Sequence, residues 1–99
     1  MVYIIHQMIY EVLLSRRVVK DLEKVPAYVA AKLLAWKEGV EKFGLEEMRK
    51  QPGFHDEPLK GDRLGQRSIR LSRSYRAIYR IIRERVVFVL VEEVSHHAY

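Results

Sequence analysis

The most informative stretch of the chain is QRSIRLSRSYRAIYRIIR, residues 66–83. Its first half alternates with a period of two, so that Ile69 and Leu71 lie on one side of a strand and Arg70 on the other. A Ser-Arg-Ser sequence follows, which is typical of a turn. The second half is rich in Tyr and Ile, which are common in strands. These residues predict a β-hairpin that turns at Arg73.

The position of the turn predicts which arginines are neighbours. Residues equidistant from Arg73 lie opposite one another, so Arg70 should face Arg76. Like charges directly across a strand pair cost up to roughly 1 kcal/mol, and a phosphate bound between them would remove that cost. Arg80 has the same parity as Arg76 and extends the row, whereas Arg67 has the opposite parity. The pair therefore favours anion binding.

Two other interpretations of the arginines stay open. A solvated strand face that uses Arg for solubility would contain the same residues, and Arg at every third position also fits one face of a helix. Concentrated charge, the dominance of Arg over Lys and the pairing across strands favour anion binding over the first. The β-branched and aromatic neighbours favour strands over the second.

The positive charge of the chain is concentrated in this region. The net charge is +5, yet residues 1–59 contain nine basic and nine acidic residues, whereas residues 60–85 contain nine basic and two acidic ones. Arg suits bidentate phosphate contacts and stacking on bases. The basic residues of the second segment are Lys60, Arg63, Arg67, Arg70, Arg73, Arg76, Arg80, Arg83 and Arg85. We therefore expect a polyanionic partner.

Two helices are predicted before the hairpin. Ser15 can cap the first helix, which runs from Arg16 to Lys24, and Pro26 can open the second. Gly44 is in the position of a C-terminal cap. The second helix has an apolar stripe with steps of four and three, which predicts a buried face. The stripe consists of Val29, Leu33, Trp36, Val40 and Phe43.

Strands are predicted on both sides of these elements. Residues 10–14 predict a first strand, and the unbroken apolar run at residues 86–91 predicts a last strand after a turn at residues 83–85. Residues 45–65 are rich in Gly and Pro and predict a loop, with at most a helical turn at residues 45–49. The order β-α-α-β-β-β predicts an α+β domain in which two N-terminal helices pack on a mostly antiparallel sheet of about four strands.

The composition limits the class of protein. The chain has 99 residues, of which 48% are hydrophobic, which predicts one domain over residues 1–99. It contains no Cys, which excludes disulfides, thiolate metal sites and thiol nucleophiles. We recognise no signal peptide, membrane span or spaced set of His ligands, and we expect a cytoplasmic protein without metal or cofactor.

The C-terminal residues 92–99, EEVSHHAY, contain side chains that can transfer protons. Metal-free RNA cleavage needs a base for the 2′-hydroxyl, cations for the charge on the phosphate and an acid for the leaving oxygen. His97 or Tyr99 could transfer the protons if the tail reaches the arginine row. A disordered tail is an equal alternative, because unordered termini are common.

Two segments resemble a known family. HDEPLKGDRLGQRSIRLSRSYRAIY, residues 55–79, resembles the central block of the RelE/ParE toxin superfamily, which includes the HigB and YafQ branches. VEEVSHHAY, residues 91–99, is similar to its last strand and tail. The resemblance starts near Met8, so residues 1–7 would be an N-terminal extension. It implies the toxin of a type II toxin–antitoxin system, an endoribonuclease that cleaves messenger RNA, usually on the ribosome, and is neutralised by a cognate antitoxin.

The resemblance also implies residue roles. Arg70 matches a catalytic or phosphate-binding position, and Arg76 matches the arginine that contacts the scissile phosphate. His97 and Tyr99 match the terminal acid/base positions, with His96 one residue away. The other implied or charge-selected RNA-binding residues are Glu57, Lys60, Arg63, Arg67, Arg73 and Arg80. The alternative functions are inhibition of DNA gyrase, as in the ParE branch, and RNA binding without catalysis.

Overall fold

The computed structural model describes residues 8–83 and 87–96. The helices of this part are α1 (Arg16–Leu22), α2 (Ala27–Phe43) and α3 (Leu45–Arg49). Its strands are β1 (Val12–Leu14), β2 (Glu57–Pro58), β3 (Arg67–Arg70), β4 (Tyr75–Arg83) and β5 (Val87–His96). Short 3-10 turns are formed by Pro52–Phe54 and Gly61–Arg63. None of the described helices is both long and apolar enough to cross a membrane.

The strands form one sheet in the order β1-β5-β4-β3-β2. β1 runs parallel to β5, and the other neighbours are antiparallel. A parallel pair needs a crossover connection, and the helices between β1 and the hairpin provide it on one face of the sheet. The predicted α+β architecture is therefore confirmed. The sheet has five strands instead of about four, because the two residues of β2 pair with the edge of β3.

The core lies between the helices and one face of the sheet. The ring of Trp36 packs on that of Tyr79, with centroids 5.1 Å apart. A bulge in β5 pairs Ile78 with Glu93 but Tyr79 with Val91, so Val91 and Val94 both face the helices. The fully buried side chains that meet here include Val18, Val29, Leu33, Trp36, Val40, Ile69, Ala77, Tyr79 and Val91.

The prediction that Phe43 belongs to the core is wrong. Phe43 is the last residue of α2 and is 55% exposed. The chain turns at Gly44, where φ is +91°, and α3 brings Leu45 and Met48 into the core instead. Met48 packs so closely on α2 that a Cβ on Gly39 would lie 2.4 Å from its sulfur. An apolar stripe in one helix does not show that a following helix will take the place of its last residue in the core.

The element boundaries differ from the prediction at several ends. Ser15 caps α1 as predicted, since its Oγ accepts the N–H of Val18 at 3.1 Å. α1 ends at Leu22, however, and Pro26 precedes α2 instead of opening it. Arg83 belongs to β4 and not to the predicted turn. β5 continues five residues beyond the predicted strand, to His96.

Candidate nucleic-acid interface

The predicted pairing of arginines is present at the hairpin end of the sheet. Arg70 and Arg76 are direct partners across β3 and β4, and Ser95 of β5 is the partner of Arg76 on its other side. By the alternation of side chains, all three lie on the face of the sheet opposite the helices, which we call the outer face. Arg70 is exposed and Arg76 is half-buried. Two arginines are therefore direct neighbours across a pair of hydrogen-bonded strands.

The middle of the outer face is covered by the segment that contains the second 3-10 turn. Arg63 donates from Nη2 to Glu93 Oε2 at 2.5 Å and from Nε to Gln66 Oε1 at 2.8 Å. Ile78 lies beside Glu93, Ser68 lies beside Ile78, and the two are only 1% and 3% exposed. The charge of Arg63 is thus compensated by the carboxylate of Glu93, while 45% of the Arg63 side chain stays exposed.

Arg80 lies on the far side of this covered patch. It is exposed on the outer face, four residues from Arg76 along β4, which corresponds to about 13 Å of strand. The covered patch therefore separates Arg80 from the Arg70–Arg76 pair.

Arg67 is half-buried in a different environment on the other face. Its Nε donates to Asp56 Oδ1 at 2.6 Å, and the Tyr79 hydroxyl donates to Asp56 Oδ2 at 2.6 Å. The side chain of Asp56 is fully buried and that of Arg67 is 20% exposed. Arg67 therefore anchors the segment before β2 to the sheet, and the structure does not bring it to the outer face.

The same cluster shifts two pKa values. Burial would lower the pKa of Arg67, but the hydrogen bond and the charge of Asp56 outweigh it and raise the pKa above its ordinary value. Burial is also the main reason that the pKa of Tyr79 is raised, with the Asp56 charge and hydrogen bond adding to it. Tyr79 therefore remains a neutral hydroxyl that donates to Asp56, and it is unsuited to act as a base.

The remaining candidates are spread over β2, the loops and the hairpin end of the sheet. Glu57 is exposed in β2, with its Oε2 3.6 Å from His55 Nε2, and Lys60 is exposed just before the second 3-10 turn. Arg73 is exposed in the hairpin turn. His96 is the partner of Tyr75 and approaches its ring edge-on at 5.2 Å. The candidates His97 and Tyr99 lie outside the described residues.

Asp56 is a residue that the sequence did not indicate as important. It lies in a loop with many polar residues, and its partner Arg67 is 11 positions away. Only the folded chain shows that it is buried. Within the ranges that the structure describes, no three Asp, Glu, His or Cys side chains are grouped in a way that could hold a metal ion.

The fold is that of the RelE/ParE toxins. One solved structure with this fold is a YoeB/ParE toxin from Agrobacterium tumefaciens, with 19% identity, a TM-score of 0.65 and coverage of 89% of this chain and 99% of that one. YafQ from E. coli strain BL21(DE3) has 16% identity, a TM-score of 0.67 and coverage of 87% and 91%.

A third similar structure is the archaeal RelE–RelB complex from Pyrococcus horikoshii OT3. Its matching chain has 23% identity and a TM-score of 0.66, and the match covers 90% of this chain and 96% of that one. No family model and no curated protein matches the sequence. At these identities the likeness concerns the fold.

Proposed function

We propose that the chain, with this toxin fold, is the toxin of a toxin–antitoxin pair and cleaves messenger RNA on the ribosome without a metal ion. The observation that carries the proposal is the Arg70–Arg76 pair, two like charges fixed side by side on the outer face. A sheet selected only for stability has little use for such a pair, since it costs up to roughly 1 kcal/mol. An RNA phosphate between the two groups would turn that cost into binding energy.

The proposed reaction is an internal attack within the RNA. The 2′-oxygen forms a bond to the adjacent phosphorus, the bond from phosphorus to the 5′-oxygen breaks, and negative charge accumulates on the phosphate oxygens. Arg70 and Arg76 would stabilise that charge as it develops. A guanidinium group has only donors and no acceptor, so neither residue can accept the proton of the 2′-hydroxyl. A second type of residue must transfer protons.

We assign the proton transfer to the C-terminal tail. β5 keeps Ser95 beside Arg76 and ends at His96, so the tail starts next to the arginine pair. His97 and Tyr99 are therefore the proposed base and acid, with His96 at the start of the tail.

The other candidates would bind RNA away from the scissile phosphate. Lys60, Arg73 and Arg80 are exposed cations that could follow the RNA strand, and Glu57 borders the same region. Arg63 and Arg67 are held by carboxylates and would contribute less. The proposed partners are messenger RNA, the ribosome and a cognate antitoxin in the cytoplasm. The antitoxin is supported by the RelE–RelB complex among the similar structures.

Expression of the protein without an antitoxin tests the proposal against its alternatives. We expect translation to stop and messenger RNA to be cut within codons, as mapped by sequencing of 5′ ends. In parallel, purified protein is added to a DNA gyrase supercoiling assay, where no inhibition is expected. Intact message together with inhibited supercoiling would favour the gyrase function instead. Intact message with tight RNA binding would indicate a binding module.

Removal of residues 97–99 is expected to lower the cleavage rate at least a hundredfold, because general acid–base catalysis contributes about 10²–10⁴-fold. β5 would stay complete to His96. The rate at saturating RNA and the affinity for a cleavage-resistant 2′-O-methyl RNA are measured together. Affinity should change little, since the arginines remain. A truncated protein that cleaves at the full rate would remove His97 and Tyr99 from the mechanism.

A further inference from the structure

A second basic site lies behind the hairpin turn. An open recess of about 270 Å³ lies between α2, the 3-10 turn Pro52–Phe54 and the turn between β3 and β4. None of the residues around it is acidic. They are Lys32, Gly53, Arg70, Leu71, Ser72 and Arg73. The sequence patterns did not single out Lys32, which is the residue of α2 among those that line the recess.

The side chain of Lys32 lies against an aromatic ring. Its Nζ lies 4.6 Å from the centroid of the Phe54 ring, a cation–π contact. The same Nζ is 3.9 Å from the position that a Cβ of Gly53 would occupy, so the missing side chain keeps the recess open beside it. Among the described residues, neither Lys32 nor Arg73 forms an ion pair with a carboxylate. The two cations can therefore bind an external anion.

Ser72 adds a neutral hydrogen-bond donor to the recess. Its Oγ accepts the backbone N–H groups of Ser74 at 3.3 Å and Tyr75 at 3.2 Å. A hydroxyl has two acceptor lone pairs and one donor, so these two bonds leave its hydrogen to donate. Two cations and a hydroxyl donor around one recess are complementary to a phosphate oxygen and offer nothing to a cation.

We propose that this recess binds a second phosphate of the RNA strand, next to the one between Arg70 and Arg76. Arg70 lines the recess and is also the strand partner of Arg76, so the recess and the arginine pair lie at the same end of the hairpin. The volume is below the roughly 300–1,000 Å³ of pockets for drug-sized ligands, which suits a phosphate with part of its ribose. The identity of the ligand as RNA rests on the proposed function, while the anion site rests on Lys32, Ser72 and Arg73.

The test is the salt dependence of RNA binding. A fluorescent, cleavage-resistant 2′-O-methyl RNA is titrated with wild type, Lys32→Gln and Lys32→Arg by fluorescence anisotropy at several KCl concentrations. Lys32→Gln should weaken binding about tenfold at low salt and reduce the slope of log K against log salt by about 0.7, the value for one phosphate of a single strand. Lys32→Arg should restore both quantities.

Lys37→Gln is the matched control. Lys37 is on the same helix, but its Nζ is paired with Glu41 Oε2 at 3.0 Å, so its loss should change affinity less than twofold. Thermal unfolding checks that each variant is folded. Equal affinity and slope for the Lys32 and Lys37 variants would overturn the proposal, even if the wild type cleaves RNA. A slope that depends on Lys32 without any cleavage would keep the site and reject the nuclease function.

Discussion

Replacing Arg76 with alanine is expected to lower the rate of RNA cleavage about a thousandfold, while the protein becomes no less stable. Loss of one preorganised donor to a developing oxyanion costs about 10²–10³ in rate, and Arg76 brings a full charge as well. In the described part of the chain it forms no ion pair that the substitution would break. Single-turnover cleavage at saturating RNA and the thermal midpoint are the two measurements.

The cleavage rate and the thermal midpoint of Arg76→Ala together show whether Arg76 serves catalysis or stability. Removing Arg76 also removes its repulsion with Arg70, worth up to roughly 1 kcal/mol, so the midpoint should stay or rise. A residue kept for stability would behave in the opposite way. Arg76→Lys keeps the charge but loses the planar fork that matches a phosphate, and its rate should lie between those of wild type and Arg76→Ala.

Arg83→Ala is the control for charge alone. Arg83 is exposed on the same strand, and its loss changes the net charge by the same amount. Its cleavage rate should remain within about threefold of wild type. If Arg83→Ala and Arg76→Ala had equal rates, the arginines would act as a diffuse basic surface, which is the solvated-face alternative that the sequence left open.

The hairpin could be predicted from sequence because its information is local. A turn at Arg73 determines the pairing on both sides of it, since each residue has only one partner at equal distance from the turn. The pairing of Arg70 with Arg76 followed from that alone and is confirmed. The helix stripe was predicted for the same reason, except at Phe43, where the next helix decides the packing.

The sequence could not predict which of the arginines are paired with carboxylates. Charge counting treats Arg63, Arg67 and Arg70 alike, but the first two are held by carboxylates from other parts of the chain. Glu93 is 30 residues from Arg63, and Asp56 is 11 from Arg67. Such partners come together only in the folded chain, and the periodicity of the sequence does not reveal them. The structure thus shows that carboxylates from other segments hold two of the predicted phosphate-binding arginines.

The second large effect concerns stability. Asp56→Ala is expected to destabilise the protein by about 3–5 kcal/mol, the usual cost of removing one partner of a buried ion pair. It leaves the guanidinium of Arg67 and the hydroxyl of Tyr79 without their shared acceptor, and both are largely buried. For a domain of this size the thermal midpoint should fall by at least about 12 °C, measured by calorimetry.

Two further variants show whether the loss of stability in Asp56→Ala comes from the charge of Arg67 that is left without its carboxylate. Glu46→Ala removes the partner of Arg49 in an exposed pair, and it should cost less than about 1 kcal/mol. Adding Arg67→Met to Asp56→Ala removes the uncompensated cation, so the double variant should be more stable than Asp56→Ala alone. Unchanged stability of Asp56→Ala would mean that the pair does not form in solution. Arg67 would then be available to RNA, as its charge alone had suggested.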